Sequence, residues 1–382
     1  MRILILGGDG YLGWPTGLAL SAQGAKVKLV DNFFRRDTIE RLNVPPLFPT
    51  SDMHERANVW HRLSRIKIDT ETGDATNYDY LKKTLEEFRP DAIIHFAEQP
   101  SAPYSMMGIE EAQFTLTNNL LSTLNLAYAV KETNPEIHII KLGTMGEYGT
   151  PNIDIEEGFL QITHKGREDR FLFPRQAGSL YHTTKIQDTD LLFFYVRLAG
   201  LRVTDLMQGP VYGFLVPEMQ DDTNLSTVFN YDAIFGTVLN RFMVQAVAGF
   251  PLTVYGKGGQ KRGYLNLIDT VQCIRLALDT PAQAGELRIL NQFTEVYTIS
   301  ELADAVISSA RTLGIRATKE NIENPRLEAE EHYYNPVHTK LFDLGLSPTL
   351  LSDDTIGPML EKICEQKGQI RQEIIAPNCQ WC

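Results

Sequence analysis

The stretch from Arg2 to Asp31 restricts the fold more than any other part of the chain. Arg2 to Leu6 is a short apolar run with strand character, Gly7-Gly8-Asp9-Gly10-Tyr11-Leu12-Gly13 follows at once, and a helical pattern runs from Tyr11 to Ala22. Strand, glycine turn and helix in that order present backbone amides at a helix N-terminus, where partial positive charge collects. Gly7, Gly10 and Gly13 permit a tight turn, close approach of a pyrophosphate and close helix packing. The glycines alone are a weak signal. Here a second strand, Val27 to Val30, ends in Asp31, whose carboxylate can accept both hydroxyls of an adenosine ribose and repels a 2′-phosphate. NAD is therefore the expected cofactor rather than NADP, with Tyr11, Leu12 and Asn32 among its neighbours. Arg35 and Arg36 follow, and either clasp the cofactor's phosphates or form a solvated face.

A second constellation lies farther along. Ile137 to Leu142 is an apolar strand that leads into Gly143-Thr144-Met145-Gly146-Glu147-Tyr148-Gly149, and Tyr181 and Lys185 follow in a helical segment, Leu180 to Ala199. Four residues apart on a helix, both side chains project from one face. A phenol titrates near pH ~10 unperturbed, and a neighbouring ammonium favours the phenolate, which is then a base near neutrality. Lys185 is expected to supply that field. Thr144, at the carboxyl end of its strand, can offer a hydroxyl to the same substrate oxygen, since ligands of open α/β sheets sit at those ends. By itself Tyr-x-x-x-Lys reads better as an ordinary amphipathic pair; the strand and the glycine turn ahead of it favour a site.

By this reading six strands alternate with helices up to Leu206: Arg2–Leu6, Val27–Val30, Ile66–Ile68, Ala92–Phe96, Ile137–Leu142 and Leu201–Leu206. The fold class expected is α/β, a doubly wound parallel Rossmann sheet with a smaller C-terminal α/β substrate domain. Residues 1–206 would bind the cofactor and carry the catalytic groups, 207–372 would bind substrate with some segments returning to the first domain, and 373–382 would be a tail. Residues 42–63 lack clean periodicity and read as an insertion. Asp74 and Ala75 fall where the adenine would lie, with capping of the helix from Tyr78 as the alternative. Phe96, Glu98, Gln99 and Ser101, in the loop after the fourth strand, and Leu142, at the end of the fifth, are candidate cofactor or substrate contacts. Asn118 and Asn119 offer amides that can bridge the cofactor loop to the catalytic strand, or satisfy backbone groups. Residues 151–176 read as a hairpin or lid.

From Gln208 the composition shifts to glycine and aromatic turns. Gln208, Tyr212, Tyr231 and Asn240 supply the amides, hydroxyls and aromatic planes that suit a sugar. Thr253, Tyr255, Gln260 and Arg262 surround a glycine-rich turn in which Arg262, with Lys257, can grip a diphosphate bidentately; a solvated hairpin is the alternative. Arg326 and Glu328 belong to an expected ion-paired helix lining the cleft. His332 with Glu328 and Glu331 has metal-ligand spacing but no second histidine nearby, so no metal is expected.

A net charge of −12 argues against a nucleic-acid surface, and no apolar run approaches the ~18 residues that span a bilayer. With no secretory segment ahead of the first strand, a cytoplasmic protein is expected. Cys379-Gln-Trp-Cys382 has redox spacing yet reads as a frayed tail.

Gly7 to Gly13, Asp31 and Tyr181-x-x-x-Lys185 together resemble the extended short-chain dehydrogenase/reductase group that works on nucleotide sugars. Longer strings, Gly7–Tyr11, Ser101–Met106, Lys141–Gly158, Thr253–Gln260 and Glu328–Asn335, resemble more closely its sulfoquinovose-forming family, over residue 1 to about residue 355. The resemblance implies conversion of UDP-glucose and sulfite to UDP-sulfoquinovose, with NAD recycled: oxidation at sugar carbon 4, loss of water across C5 and C6, sulfite addition at C6, and re-reduction. It implies Tyr181, Thr144 and Lys185 as the oxidising group and a homodimer through helices 109–131 and 180–199. In related sugar 4,6-dehydratases an Asp-Glu pair directly follows the catalytic Thr; here Met145 and Gly146 stand there, so Glu147 or His182 is expected to move the C5 and C6 protons, with Met145 shaping the pocket. One departure is Pro100, where the family pattern has arginine, a plausible sulfite anchor; Arg175 is a candidate substitute. A 4-epimerase or dehydratase that takes no sulfite is the nearest alternative, and a non-catalytic NAD-sensing or scaffold protein a more distant one.

Overall fold

The computed structural model describes residues 1–219, 222–324 and 332–376. Arg326, Glu328, Glu331, Cys379 and Cys382 lie outside the described residues. In chain order the elements are β1 (Arg2–Leu6), α1 (Gly13–Ala22), β2 (Lys26–Asp31), α2 (Phe34–Leu42), α3 (Met53–Ser64), β3 (Asp69–Thr72), α4 (Tyr78–Phe88), β4 (Ala92–His95), α5 (Ala102–Ser105), α6 (Ile109–Thr133), β5 (His138–Thr144), β6 (Phe159–His164), β7 (Arg167–Leu172), α7 (Leu180–Ala199) and β8 (Arg202–Gln208). They continue as β9 (Val211–Tyr212), α8 (Val238–Ala248), β10 (Leu252–Tyr255), β11 (Lys261–Asn266), α9 (Leu267–Asp279), β12 (Leu287–Gln292), β13 (Glu295–Thr298), α10 (Ile299–Thr312), β14 (Lys319–Ile322), α11 (Lys340–Asp343), α12 (Asp353–Glu365) and α13 (Gln372–Ile375).

Seven parallel strands form the central sheet in the order β12-β8-β5-β4-β1-β2-β3. β1 and β4 are nearly continuous apolar runs because helices cover both faces of the sheet. Trp14 and Leu18 of α1, Trp60 of α3 and Ile274 of α9 build the core on one face, while Leu85 of α4, Leu126 and Val130 of α6 and Leu192 and Val196 of α7 build the other. Strand order reverses between β1 and β4, so a crevice opens there beyond the carboxyl ends of the strands, the usual place for a ligand in such sheets. A third core, with Phe242 of α8, Val254 of β10, Leu302 of α10 and Leu360 of α12, holds the C-terminal segments together.

The doubly wound sheet agrees with the sequence reading, with three corrections. The sheet has a seventh strand, β12, which pairs with β8, and α9 packs in the same core as α1. The third strand is Asp69–Thr72 rather than Ile66–Ile68, an edge strand of polar residues that shows no apolar alternation. Residues 42–63 are not irregular throughout: α3 starts behind Asp52, whose carboxylate caps it by accepting the amides of His54 and Glu55. Its buried stripe is Met53, Arg56, Ala57 and Trp60, and the arginine inside that stripe hides the helical period. The region 151–176 does contain a hairpin, β6 with β7, whose turn carries His164, Lys165 and Arg167. No helix among the described residues is long and apolar enough to cross a membrane.

Candidate active site

One cavity lies over the crevice at the switch point and is lined by Gly7, Gly10, Tyr11, Leu12, Gly13, Asp31, Asn32 and Arg35 at one end. The turn there is closed by steric necessity. A Cβ on Gly7, whose φ is +87°, would stand 2.6 Å from the Phe96 carbonyl carbon, and one on Gly13 would stand 2.0 Å from the Gly7 carbonyl oxygen. Helix α1 begins here without a side-chain cap and without an acidic residue in its first turn, which leaves its terminal amides to an anion. Asp31 is fixed by the amides of Asp9 (2.9 Å) and Phe33 (2.8 Å), and burial, reinforced by Asp9, pushes its carboxyl up to about 6. A bare amide cradle beside a fixed carboxylate fits the pyrophosphate and adenosine ribose of NAD. Asp74, Ala75, Phe96, Asn118 and Leu142 line the same cavity. Asp74 does not cap α4, a role taken by Asn77.

Arg35 lines the cavity, its guanidinium 4.9 Å above the Phe235 ring and bonded to the Asn230 side chain at 2.9 Å. Arg36 does not line it. That guanidinium is bound to Asp9 (2.6 Å) and to the Thr50 carbonyl (2.8 Å), so it braces the glycine turn from outside. Arg56, fully buried, reaches Asp9 from α3 at 2.8 Å with its cation 4.5 Å over Trp14.

At the carboxyl end of β5 the cavity wall is Thr144, Tyr181 and His182. Thr144 opens a short 3₁₀ turn (145–147): its oxygen accepts the Gly146 amide at 3.1 Å, which leaves its hydroxyl proton to donate into the cavity. Tyr181 and His182 sit in the first turn of α7, capped by Ser179, and their rings lie 5.2 Å apart. The imidazole stacks so closely on the turn that a Cβ at Gly146 would be 2.3 Å from its Nε2, while Ser179 Oγ holds Nδ1 at 3.1 Å. Glycine at position 146 thus admits His182 to the wall.

Glu147 and Met145 do not reach this wall. Glu147 is fully buried behind it, at 3.2 Å from both the Thr144 amide and Lys141 Nζ, and Met145 packs into the core. Lys185 also lies behind the wall, and its ammonium is engaged by Glu98 (2.5 Å) and Asp188 (3.5 Å) rather than committed to the phenol. Burial, then the carboxylates of Glu98 and Glu147, push the Tyr181 phenol well above its ordinary range, with Lys141 opposing them. The field at the phenol that the sequence reading assigned to Lys185 is thus dominated by burial and by these other charges. Glu98, by contrast, lines the cavity and is held below its usual range despite burial, chiefly by Lys185.

Beyond the centre the lining continues through Gln99, Ser101, Gln208, Thr253, Tyr255, Gln260 and Arg262. Gln99 and Ser101 are engaged within the protein: the Gln99 backbone amide donates to Asn119 Oδ1 at 2.8 Å and Ser101 Oγ to the Ile234 carbonyl at 2.5 Å. Asn119 also donates to Thr184, so it ties the loop after β4 to helix α7 rather than to the catalytic strand. Arg262 Nη1 lies 3.0 Å from His332 Nε2, which places this imidazole beside a guanidinium of the cavity lining. Arg241, on α8, lines the same end. Tyr212, Tyr231 and Asn240 are displaced from the cavity: they bond to the Thr349 carbonyl, the Arg371 amide and the Gly213 amide respectively. Alternation along β9 turns Tyr212 inward, and Asn240 supports Tyr11 from behind at 3.4 Å. Lys257 is exposed away from the lining, and Arg175 pairs with Asp190. Asp188 and Arg56 were not legible as site neighbours, although Asp188 stands at the i+3 position from Lys185.

Residues 3–291 match the model of the NAD dependent epimerase/dehydratase family. The chain is 47% identical over 380 residues to a chloroplastic UDP-sulfoquinovose synthase of Spinacia oleracea, covering 100% of this chain and 79% of that protein. It is 44% identical over 384 residues to a UDP-sulfoquinovose synthase of Sulfolobus acidocaldarius, covering 100% of this chain and 98% of that one. Among solved structures it resembles a UDP-glucuronic acid 4-epimerase of Bacillus cereus in complex with UDP-glucuronic acid and NAD, with TM-score 0.68, 21% identity, and 96% and 99% of the two chains covered. A UDP-glucose 4-epimerase of Bifidobacterium longum in complex with NAD+ and UDP matches with TM-score 0.70 and 19% identity over 96% and 98% of the two chains. These two likenesses concern the fold.

Proposed function

The chain belongs to the NAD dependent epimerase/dehydratase family, and on that footing we propose that it converts UDP-glucose and sulfite to UDP-sulfoquinovose. The observation that carries this reading is the continuity of one cavity from the glycine turn and Asp31, past Thr144, Tyr181 and His182, to Thr253, Gln260 and Arg262. Full-length similarity to two proteins named for that activity supports it.

NAD, when bound at the glycine turn, supplies the acceptor and later the donor of one hydride at sugar carbon 4. Tyr181 Oη takes the proton of the 4-hydroxyl and returns it at the end, while the Thr144 hydroxyl donates to the same oxygen. The 4-ketone makes the C5 hydrogen acidic. His182 removes that proton and delivers it to the departing C6 hydroxyl, so that water leaves and a C5–C6 double bond forms; the sulfur lone pair of hydrogen sulfite then bonds to C6 as the C5–C6 π pair shifts to C5, and the proton given up by hydrogen sulfite passes through His182 to C5. His182 takes this role rather than Glu147 because it stands in the cavity wall beside Tyr181, whereas Glu147 is sealed behind it. Arg262 and Arg241 provide cations for the diphosphate at the far end.

Incubation of the pure protein with UDP-glucose, with and without sulfite, tests the reading by product mass. A sulfonated sugar nucleotide is expected only with sulfite. A second reading, epimerisation or dehydration without sulfite, is favoured by Pro100, which lines the cavity where the family pattern has arginine, and by the pairing of Arg175 with Asp190. A new sugar formed without sulfite would establish that second reading. The protein is further proposed to be a homodimer: α6 and α7 pack side by side and expose Leu116, Leu121, Phe194 and Leu198, a face that a second copy would cover. Sedimentation of a monomer would remove that part.

A further inference from the structure

Two acids close on the catalytic lysine from two different elements. Glu98 comes from the loop after β4 and Asp188 from one turn farther along α7, and their oxygens stand 2.5 Å and 3.5 Å from Lys185 Nζ. All three side chains are more than nine-tenths buried. Neither oxygen of Asp188 has a hydrogen-bond donor, nor has Glu98 Oε1, although His95 Nε2 is 3.4 Å from it. Two neighbouring carboxyl groups so poorly supplied with donors cannot both ionise around one ammonium; they retain one proton between them. Burial and the nearby Glu98 charge push Asp188 well above the carboxylate range, which places that proton on Asp188.

We propose that Glu98 and Asp188 are positioning residues for the oxidation step: the pair shares one proton, keeps one negative charge on Lys185, and thereby sets the pH at which Tyr181 begins to act. This rests on the assignment of Tyr181 as the base for the sugar hydroxyl. Besides Lys185, four residues along α7 from Tyr181, the charged groups that bear on the phenol are Glu98 from the β4 loop, Glu147 from the turn after β5, Lys141 from β5 and Asp188 from α7, with the His182 ring adjoining. Of these only Glu98 lines the cavity with Tyr181, so only its charge lies at the point where substrate arrives.

The shared proton makes a specific demand on variants. Either isosteric change alone, Glu98→Gln or Asp188→Asn, leaves one acid to ionise and hold Lys185, so the effect is small. The double variant removes the charge altogether and frees the ammonium for the phenol. The test is the pH profile of NADH formation in a single turnover of the holoenzyme with UDP-glucose and no sulfite. The acid limb is expected to move down by about one unit or more in the double variant and by well under half of that in each single variant. An unmoved limb in the double variant overturns the proposal, as does an equally large movement in either single one. Should the double variant fail to fold, isotope-edited infrared spectroscopy of the native protein at neutral pH decides: a protonated carboxyl band that Asp188→Asn abolishes is expected, and its absence overturns the shared proton. If native holoenzyme forms no NADH from UDP-glucose at any pH, the functional reading fails, while the infrared band still tests the acid pair.

Discussion

Lys141 and Lys185 are two buried ammonium groups behind the same wall, each facing two carboxylates, yet their surroundings differ in kind. Lys141 Nζ reaches Thr189 Oγ1 at 2.7 Å, Asp205 at 3.0 Å, Glu147 at 3.2 Å and the Lys185 carbonyl at 3.3 Å, and does not line the site cavity. Its partners come from α7, β8 and the turn after β5, so it locks those elements together. Lys185 has two acids, neither well supplied with donors, and one of them, Glu98, opens onto the cavity. A sealed network whose ammonium protons all meet acceptors braces a fold, while a network touching the site, its carboxylates short of donors, is where protons are handled.

The contrast breaks most visibly at Lys141. Lys141→Met strands Glu147 and Asp205 in the core and is expected to lower stability in urea unfolding by about 3–5 kcal/mol, the typical cost of removing one partner of a buried pair. A loss no larger than that of a surface lysine would show that the two clusters do not differ. Tyr181→Phe probes the other side: turnover should fall by about a hundredfold or more, as for loss of a general base, with UDP-glucose binding and urea stability retained. Undiminished turnover would remove Tyr181 from the chemistry. The smallest effect concerns His95, at the edge of the Lys185 cluster, where burial pushes the imidazole down to about 4. In the unfolded chain it titrates near pH ~6.5. Its contribution is therefore fully present above that value and fades as pH falls toward about 4, because the unfolded state takes up the proton first. His95→Gln should remove up to ~1.4 kcal/mol per pH unit from the slope of stability within that window.

Local spacing carried the legible part of this molecule. The glycine turn, Asp31 and the Tyr181–Lys185 pair are each set by a few neighbouring residues, and the alternation of apolar strands with helices announced the sheet. Three elements escaped for separate reasons: β3 is polar because it lies at an edge, α3 carries a buried arginine in its apolar stripe, and β12 follows a long excursion through the sugar end. At the site, the choice between Glu147 and His182 was illegible because it turns on the 3₁₀ turn behind Thr144, which directs Glu147 inward, and on Gly146, which admits the imidazole. Glu98 stands 87 residues from Lys185, a separation at which no local pattern reports a salt bridge.

The stitch at the glycine turn bears on coenzyme engineering. Asp31 is held by the amide of Asp9, and Asp9 in turn by Arg36 and by the sealed Arg56, so this carboxylate is the last member of a chain spanning β2, α2 and α3. Exchanging Asp31 for a residue that welcomes a phosphorylated ribose would leave Asp9 and its two guanidinium partners aimed at a geometry that no longer exists. A swap of coenzyme preference in this scaffold is thus a redesign of three segments at once rather than of a single side chain.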